Sequence, residues 1–481
     1  MARSRRTRSL FSLPLVLGAL LFAPALADAA VGELSRFGEV GLGSGQLNGP
    51  EGVAVDPEGN VLVAEYSSNR ISVFSPGGTF LRDFGKDVGG EGLDICTTGC
   101  ENGSNEVADI PAAGSIYSPM DVDIDAEGRI FVSTQNARID VLSAAGAFLY
   151  AFGKDVGPGG ADVCTAASGC GDGEFSEAAG ALFEAPGIGI AGGRLYAVDS
   201  ENSRVSVFGL DGSFQFAFGE EVNPGGGDVC TVASGCKAGN FEGAAALDGP
   251  TDVAGGSDGN IYVTYSGAEA GVAVFSPQGA FLRRFGGGGP GALADAQALA
   301  IGPDGDVHVA DRAAEAVKSF SPDGAFGSSF ATPEAGGLAL DCRGGFWVSV
   351  PSTSEVIRYG EPGTAAPPCP PPAVPIAAAA PSNRFRFGKL KLNRAKGTAT
   401  LTVNVPGPGR LVLKGDALKK ATKAAKRAGN VTVAVRAKGK ALKALREKGK
   451  ATLRAKLTFT PTGGAALTKP RNLVLKKTLP R

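Results

Sequence analysis

Eight cysteines carry the most legible chemistry in this 481-residue sequence. Six form three close pairs, Cys96/Cys100, Cys164/Cys170 and Cys230/Cys236, each inside a copy of one phrase. The copies begin at Lys86-Asp87-Val88, Lys154-Asp155-Val156 and Glu220-Glu221-Val222 and end on the second cysteine. Thiols this close either bond locally or supply half of a zinc site, and a closed tetrahedral site needs a second pair that no copy contains. Local disulfides stapling three surface hairpins are therefore the expectation for an exported chain. Acid–base chemistry is thinly supplied. The single histidine, His308, replaces an apolar residue in an alternating run, which reads as a packed core position. Neither a Gly-x-Ser-x-Gly elbow nor a phosphate loop occurs in a strand–turn–helix setting.

The ends point outside the cytoplasm. Arg3, Arg5, Arg6 and Arg8 precede an apolar stretch from Leu10 to Ala23, and Ala25-Leu26-Ala27 or Ala27-Asp28-Ala29 offers small residues to a signal peptidase. Residues 1–30 thus read as a signal peptide whose apolar part is too short to span a bilayer. The Arg5-Arg6 pair also opens the twin-arginine route. No later stretch is long and apolar enough to cross a membrane, so the expectation is a secreted or cell-surface protein. The net charge of −1 conceals a division. Residues 31–380 hold 16 Lys/Arg against 45 Asp/Glu, about −29, whereas residues 381–481 hold 27 against Asp416 and Glu447, +25. Two bodies with different partners are implied. The break falls in the Pro- and Ala-rich stretch 361–383, which reads as a semi-rigid linker.

A repeat positions the cysteines. Pro50-Glu51-Gly52-Val53-Ala54-Val55 passes through an Asp-Pro-Glu-Gly turn to Val61–Glu65, then to Asn69-Arg70-Ile71-Ser72-Val73-Phe74, and closes on Phe80–Gly85. The phrase returns over Pro119–Gly153, Pro186–Gly219 and Pro250–Gly286, and more loosely over Ala296–Phe330 and Ala335–Tyr359. Four short alternating runs separated by turn residues make an antiparallel meander, one propeller blade. These motifs, notably Leu195–Asp199 leading to Asn202-Ser203-Arg204-Val205, resemble the NHL repeat over roughly residues 33–360. The resemblance implies an all-β fold with a six-bladed β-propeller at 31–360. The sixth copy stops at Tyr359, and Leu34-Ser35-Arg36-Phe37-Gly38 matches Leu81–Gly85. An N-terminal strand is therefore expected to complete the last blade and close the ring. Successive Phe-Gly markers are 47, 68, 66, 67 and 45 residues apart, so the cysteine inserts precede the first strands of blades two to four. They share a face with the turns between second and third strands and decorate half of its rim.

The resemblance also states what an active relative would need. Propeller hydrolases of the gluconolactonase type hold calcium with acidic and amide groups at the channel mouth, where Glu51, Asp121 and Asp252 fall here. The equivalent positions Gly187 and Gly336-Gly337 offer no ligand, and carboxylates at strand starts also cap turns. A calcium-dependent lactonase- or esterase-like hydrolase is thus the alternative reading, and no cofactor is expected in the main one. Lyase-type relatives use several channel histidines, and His308 alone does not supply them. Asp199/Arg204 and Glu65/Arg70 match the family's structural contact within a blade.

Residues 384–481 alternate apolar and polar side chains through Phe385, Phe387, Leu390 and Leu392, then Ala399, Leu401, Val403 and Val405, and later Leu453, Leu457 and Phe459. Asp416–Arg427, stopped by Gly429, reads as a short helix. A small immunoglobulin-like β-sandwich is expected, resembling basic tail domains of secreted actinobacterial proteins. Its outward Lys and Arg favour an anionic cell-envelope polymer; its few aromatics read as buried, which argues against nucleic acid. The expected function is extracellular binding, with the hairpin face engaging a polymer or protein and the tail holding anionic envelope material. Cys342 falls in the turn after the sixth blade's first strand, on the face where Tyr359 leaves. Cys369 lies ten residues beyond Tyr359, a reach of up to about 33 Å, so a Cys342–Cys369 disulfide tying the linker to the undecorated face is expected.

Overall fold

The computed structural model describes residues 31–104, 112–342, 344–361, 383–407, 409–425, 429–461 and 466–479. The expected signal peptide, most of the linker and Cys369 lie outside these residues. The chain separates into two compact units, Met1–Pro371 and Pro372–Arg481.

Between residues 32 and 360 the alternating runs form six antiparallel sheets, each following the last in chain order. In sheet one Pro50–Val55, Val61–Glu65, Arg70–Phe74 and Phe80–Phe84 lie side by side. Every residue of its second and third strands is buried, because neighbouring sheets cover both faces. The innermost strands touch in succession, Pro50–Val55 against Pro119–Ile124 and so on to Leu338–Leu340, which returns to Pro50–Val55. This radial stacking is a β-propeller. Sheet six takes its outer strand from the other end of the unit: Gly32–Phe37 pairs antiparallel with Glu355–Gly360, from Gly32↔Gly360 to Phe37↔Val356. The inter-sheet core is aromatic and aliphatic, with Phe84, Phe152 and Phe218 fully buried.

The cysteine inserts differ from the expectation in one respect. They add a fifth, outermost strand to the sheet that precedes them rather than preparing the sheet that follows. Ile95–Cys96, Ala161–Cys164 and Gly227–Cys230 pair with the fourth strands of sheets one, two and three. In sheets two and three the fourth strand runs on for ten residues, Phe148–Gly157 and Phe214–Asn223, and turns back as a hairpin. The strand continues past Phe-Gly through a register shift, after Phe152 in one sheet and Phe218 in the other, and pairing propagates outward.

The second unit has two sheets around one core. Arg386–Asn393, Thr398–Val405 and Gly429–Val435 form one; Ala421–Ala425, Gly409–Lys414, Lys450–Pro461 and Leu467–Lys476 form the other. Leu401, Leu411, Leu453 and Phe459 are among the residues buried between them. Over the described residues 416–425 the expected helix at 416–427 does not form: Ala421–Ala425 is an edge strand paired with Gly409–Leu413. Leu418 is the one large apolar residue in that stretch, so no helical stripe exists to bury. The helix is Gly439–Lys448, where Leu442 and Leu445 supply that stripe and Gly449, at φ 66°, ends it in the left-handed conformation.

Candidate binding face and central channel

Three devices recur at the inserts. Cys96–Cys100, Cys164–Cys170 and Cys230–Cys236 are bonded, with Cα separations of 5.6, 5.3 and 5.3 Å. Each packs with a fully buried valine, Val88, Val156 or Val222, into a small core of its own. The return limb then docks onto the same sheet's second turn: the N–H groups of Gly103, Gly173 and Gly239 each donate at 2.8 Å to the carbonyls of Ser68, Asn136 and Asn202. Finally, a buried arginine on the third strand holds the residue after the second cysteine. Arg70 donates to the carbonyl of Glu101, Arg138 to that of Gly171 and Arg204 to that of Lys237, at 3.2, 3.0 and 3.3 Å. The same guanidinium groups reach the loop entering the sheet, at Gln46, Ser115 and Ala181. Cys342 is itself disulfide-bonded; Cys369, the partner expected for it, is outside the described residues.

Each arginine is neutralised within its sheet, at zero side-chain exposure. Arg70 pairs with Glu65 and Arg204 with Asp199, both at 2.8 Å, as the sequence implied. Sheet two keeps the contact by another route: Thr134 occupies the acid's position, and Asp140, two residues beyond Arg138 on the same strand face, takes the guanidinium at 2.8 Å. The i, i+2 alternation of a strand was the available sign of that substitution.

The inserts also hold apolar side chains out of the core. Of the thirteen large apolar residues left exposed among the described residues, nine sit in connections from a fourth strand to the next sheet's first strand. Phe175 and Phe241, at matching places in two inserts, are 48% and 65% exposed, and Val232 is 72% exposed. Monomeric surfaces seldom concentrate such groups without a partner.

The channel carboxylates have another use. Asp121 Oδ1 accepts the N–H of Val122 and Oδ2 that of Ile188 in the next sheet, both at 2.8 Å. Asp252 does the same with Val253 and Leu299, at 2.7 and 2.8 Å. Asp123, which sequence reasoning passed over, bridges Ile124 and Ile190 at 2.7 Å each. These side chains join innermost strands that have no ladder between them. Burial, reinforced by the negative charge of Asp252, holds the Asp121 carboxyl well above the usual range. Burial pushes Asp123 up to about 6 and Asp252 up to about 7. Glu51 stands at the same mouth, also raised by burial. Among the described residues no three acidic, histidine or cysteine side chains gather into a metal-holding group. The glycines at the ligand-poor positions have a steric cause: a Cβ at Gly187 would lie 2.5 Å from Asp252 Cα, and one at Gly337 2.6 Å from the Glu51 carbonyl oxygen. His308 bonds Ser319 Oγ at 2.8 Å and meets the Phe346 ring edge-on at 4.9 Å, between sheets five and six.

The second unit presents charge. Lys414 lies directly opposite Lys456, and Lys450 opposite Lys476, on the outer face of the four-stranded sheet, all exposed. Like charges so placed cost stability. Lys443–Glu447, at 3.8 Å, is the ion pair found within this unit among the described residues. Phe385 and Phe459 are fully buried.

An NHL repeat matches residues 47–74, the first two-thirds of sheet one and its approach. Protein lin-41 of Caenorhabditis elegans is 43% identical over 53 residues, 11% of this chain and 5% of that protein. The E3 ubiquitin-protein ligase TRIM71 of Rattus norvegicus is 54% identical over 44 residues, 9% of this chain and 5% of that protein. The chain thus spans a small fraction of the length of these curated relatives. A streptogramin B lyase structure aligns with 69% of this chain and 97% of its own, at 12% identity and a TM-score of 0.41. A gluconolactonase from Xanthomonas campestris aligns with 66% and 87%, at 14% and 0.41. At these values the likeness carries nothing about activity. The chain holds an NHL repeat, set in the first sheet of a β-propeller.

Proposed function

We propose that this chain is an extracellular binding protein. Its propeller is six-bladed and closed by Gly32–Phe37, and its hairpin-bearing rim engages a cell-envelope polymer or a protein. The domain from 384 onward, with its immunoglobulin-like sandwich, holds anionic envelope polymer. The observation that carries this reading is the rim itself: each of the three disulfide hairpins is locked to a buried arginine, and in the second and third inserts Phe175, Phe241 and Val232 stand in solvent on the hairpin or its return limb. Rigid loops presenting aromatic groups lose little entropy on binding, which is what a recognition surface requires. Disulfides and the leader favour an oxidising compartment. Among the described residues no helix is long and apolar enough to cross a membrane. Asp121 and Asp252, the residues a calcium-dependent hydrolase would use, spend their oxygens on backbone N–H groups, which favours binding over hydrolysis.

The test is retention of the chain, without its first 30 residues, on an immobilised cell-envelope preparation at about 0.5 M NaCl, where exposed charges are screened within a few ångströms. The double variant Phe175→Ser, Phe241→Ser should weaken retention about tenfold, roughly 1.4 kcal/mol, with an unchanged melting temperature. Equal retention of variant and wild type would overturn the reading.

A further inference from the structure

In five of the six sheets one second-strand position carries a ring: Phe131, Tyr196, Tyr262, His308 and Trp347. Each packs toward the following sheet, as Tyr196 does on Val253 and Val263, and Trp347 on Val53 and Val61. Sheet one has Leu62 there instead, facing Ile130 and Val122 of sheet two. Where the ring is missing, a cavity of about 320 Å³ opens between sheets one and two. Its apolar walls include Leu62, Val73, Phe84, Ile124 and Ile130. That volume is within the range of small-molecule sites.

A second observation concerns Arg82, the cation of the same wall. It lies opposite Val73, as Tyr150 lies opposite Val141 and Arg283 opposite Val274. Tyr150 and Arg283 reach across to the carbonyls of Leu210 and Pro322 in the next sheet. Arg82 reaches the equivalent Ala144 carbonyl only at 3.4 Å; its buried Nε, like that of Arg283, has no acceptor. The guanidinium lies over the Phe84 ring, 5.2 Å from its centroid. Asp56, also in the wall, is already engaged: its two oxygens accept the backbone and side-chain N–H groups of Asn60 at 2.7 and 2.8 Å. Glu58 is exposed on the turn.

We propose that this cavity binds a small planar molecule bearing a carboxylate. The ligand's ring takes the place that side-chain rings fill in the other sheets, and its carboxylate accepts the N–H groups of Arg82. A guanidinium–carboxylate pair in a partly desolvated site is charge-assisted and directional, so the acid is preferred to an uncharged isostere.

Phenylacetate and phenylacetamide are suitable probes, titrated into the chain without its first 30 residues by ligand-observed NMR. Phenylacetate is expected to bind with a Kd of about 1 mM or tighter, and at least about tenfold more tightly than the amide. Leu62→Phe, which restores a ring from within, should weaken phenylacetate binding about tenfold or more. Arg82→Met should bring acid and amide to equal affinity. No binding of phenylacetate up to roughly 10 mM, equal affinities for acid and amide in the wild type, or undiminished binding in Leu62→Phe would overturn the proposal. The wild-type acid–amide comparison and Arg82→Met decide the matter even where Leu62→Phe fails to fold.

Discussion

Asp252 receives two backbone N–H groups in a channel shared with Asp121 and Asp123, and burial lifts its carboxyl to about 7. Asp123 is lifted to about 6. The folded chain therefore keeps protons that the unfolded chain releases near pH 3.8. This contribution to stability is complete below about pH 4 and is lost as the pH rises through 6 and 7. His308, lowered by burial, acts in the opposite sense below pH 6.5. Subtracting the unfolding free energy of Asp252→Asn from that of the wild type removes the histidine's effect. The difference should decline from pH 6 to pH 8, by no more than about 1.4 kcal/mol per pH unit for one group. Urea titrations at the two pH values measure it, and a difference that grows with pH contradicts the assignment. Arg204 supports a second prediction. Arg204→Met strands Asp199 without its cation and frees the carbonyls of Ala181 and Lys237, so a loss of about 3–5 kcal/mol is expected. A loss below about 1 kcal/mol in the same urea assay would show that the clamp is dispensable. The Glu65/Arg70 and Asp199/Arg204 pairs were legible because their types and spacing repeat. Asp123 and Asp140 were not, because their bonds cross to another sheet or replace a partner whose usual position holds Thr134.

The hairpins are small closed rings, their bonded cysteines separated by four or six positions in sequence. Loop closure of that size is worth about 2 kcal/mol in the chain-entropy model, most of it felt within the hairpin's own mini-core. Replacing Cys164 and Cys170 by Ser should therefore speed amide exchange along Phe148–Cys164, while Pro119–Ile124 in the channel keeps its protection. Hydrogen-exchange mass spectrometry distinguishes this from global loosening, which would show faster exchange in both segments. Strand alternation made the sheets readable, including the exchange of a sheet-six strand for Gly32–Phe37. It did not show that the expected hairpins pair backward as fifth strands of the preceding sheets, since the cysteine spacing marks a hairpin but not the strand it lies against. The misplaced helix has a different origin: Asp416 offers a cap and Gly429 a stop, whereas the helix itself begins after Lys438 with no side-chain cap and is held by the apolar stripe of Leu442 and Leu445 that the core can bury.

The division of charge, about −29 over residues 31–380 and +25 over residues 381–481, sets how the molecule should respond to salt. Lys414 opposite Lys456 and Lys450 opposite Lys476 repel one another, and an anionic polymer laid across that sheet would relieve the repulsion while releasing its own counterions. The proposed rim contact, in contrast, is apolar and would be insensitive to screening. Both halves can be read in one salt titration of retention on an immobilised cell-envelope preparation, from about 20 mM to about 500 mM NaCl. The account predicts a steep loss of affinity below roughly 150 mM, abolished by Lys450→Glu with Lys456→Glu, and a salt-insensitive remainder that Phe175→Ser with Phe241→Ser removes. Affinity that is flat across the whole range and untouched by the paired lysine changes, or no retention at any salt, would contradict it.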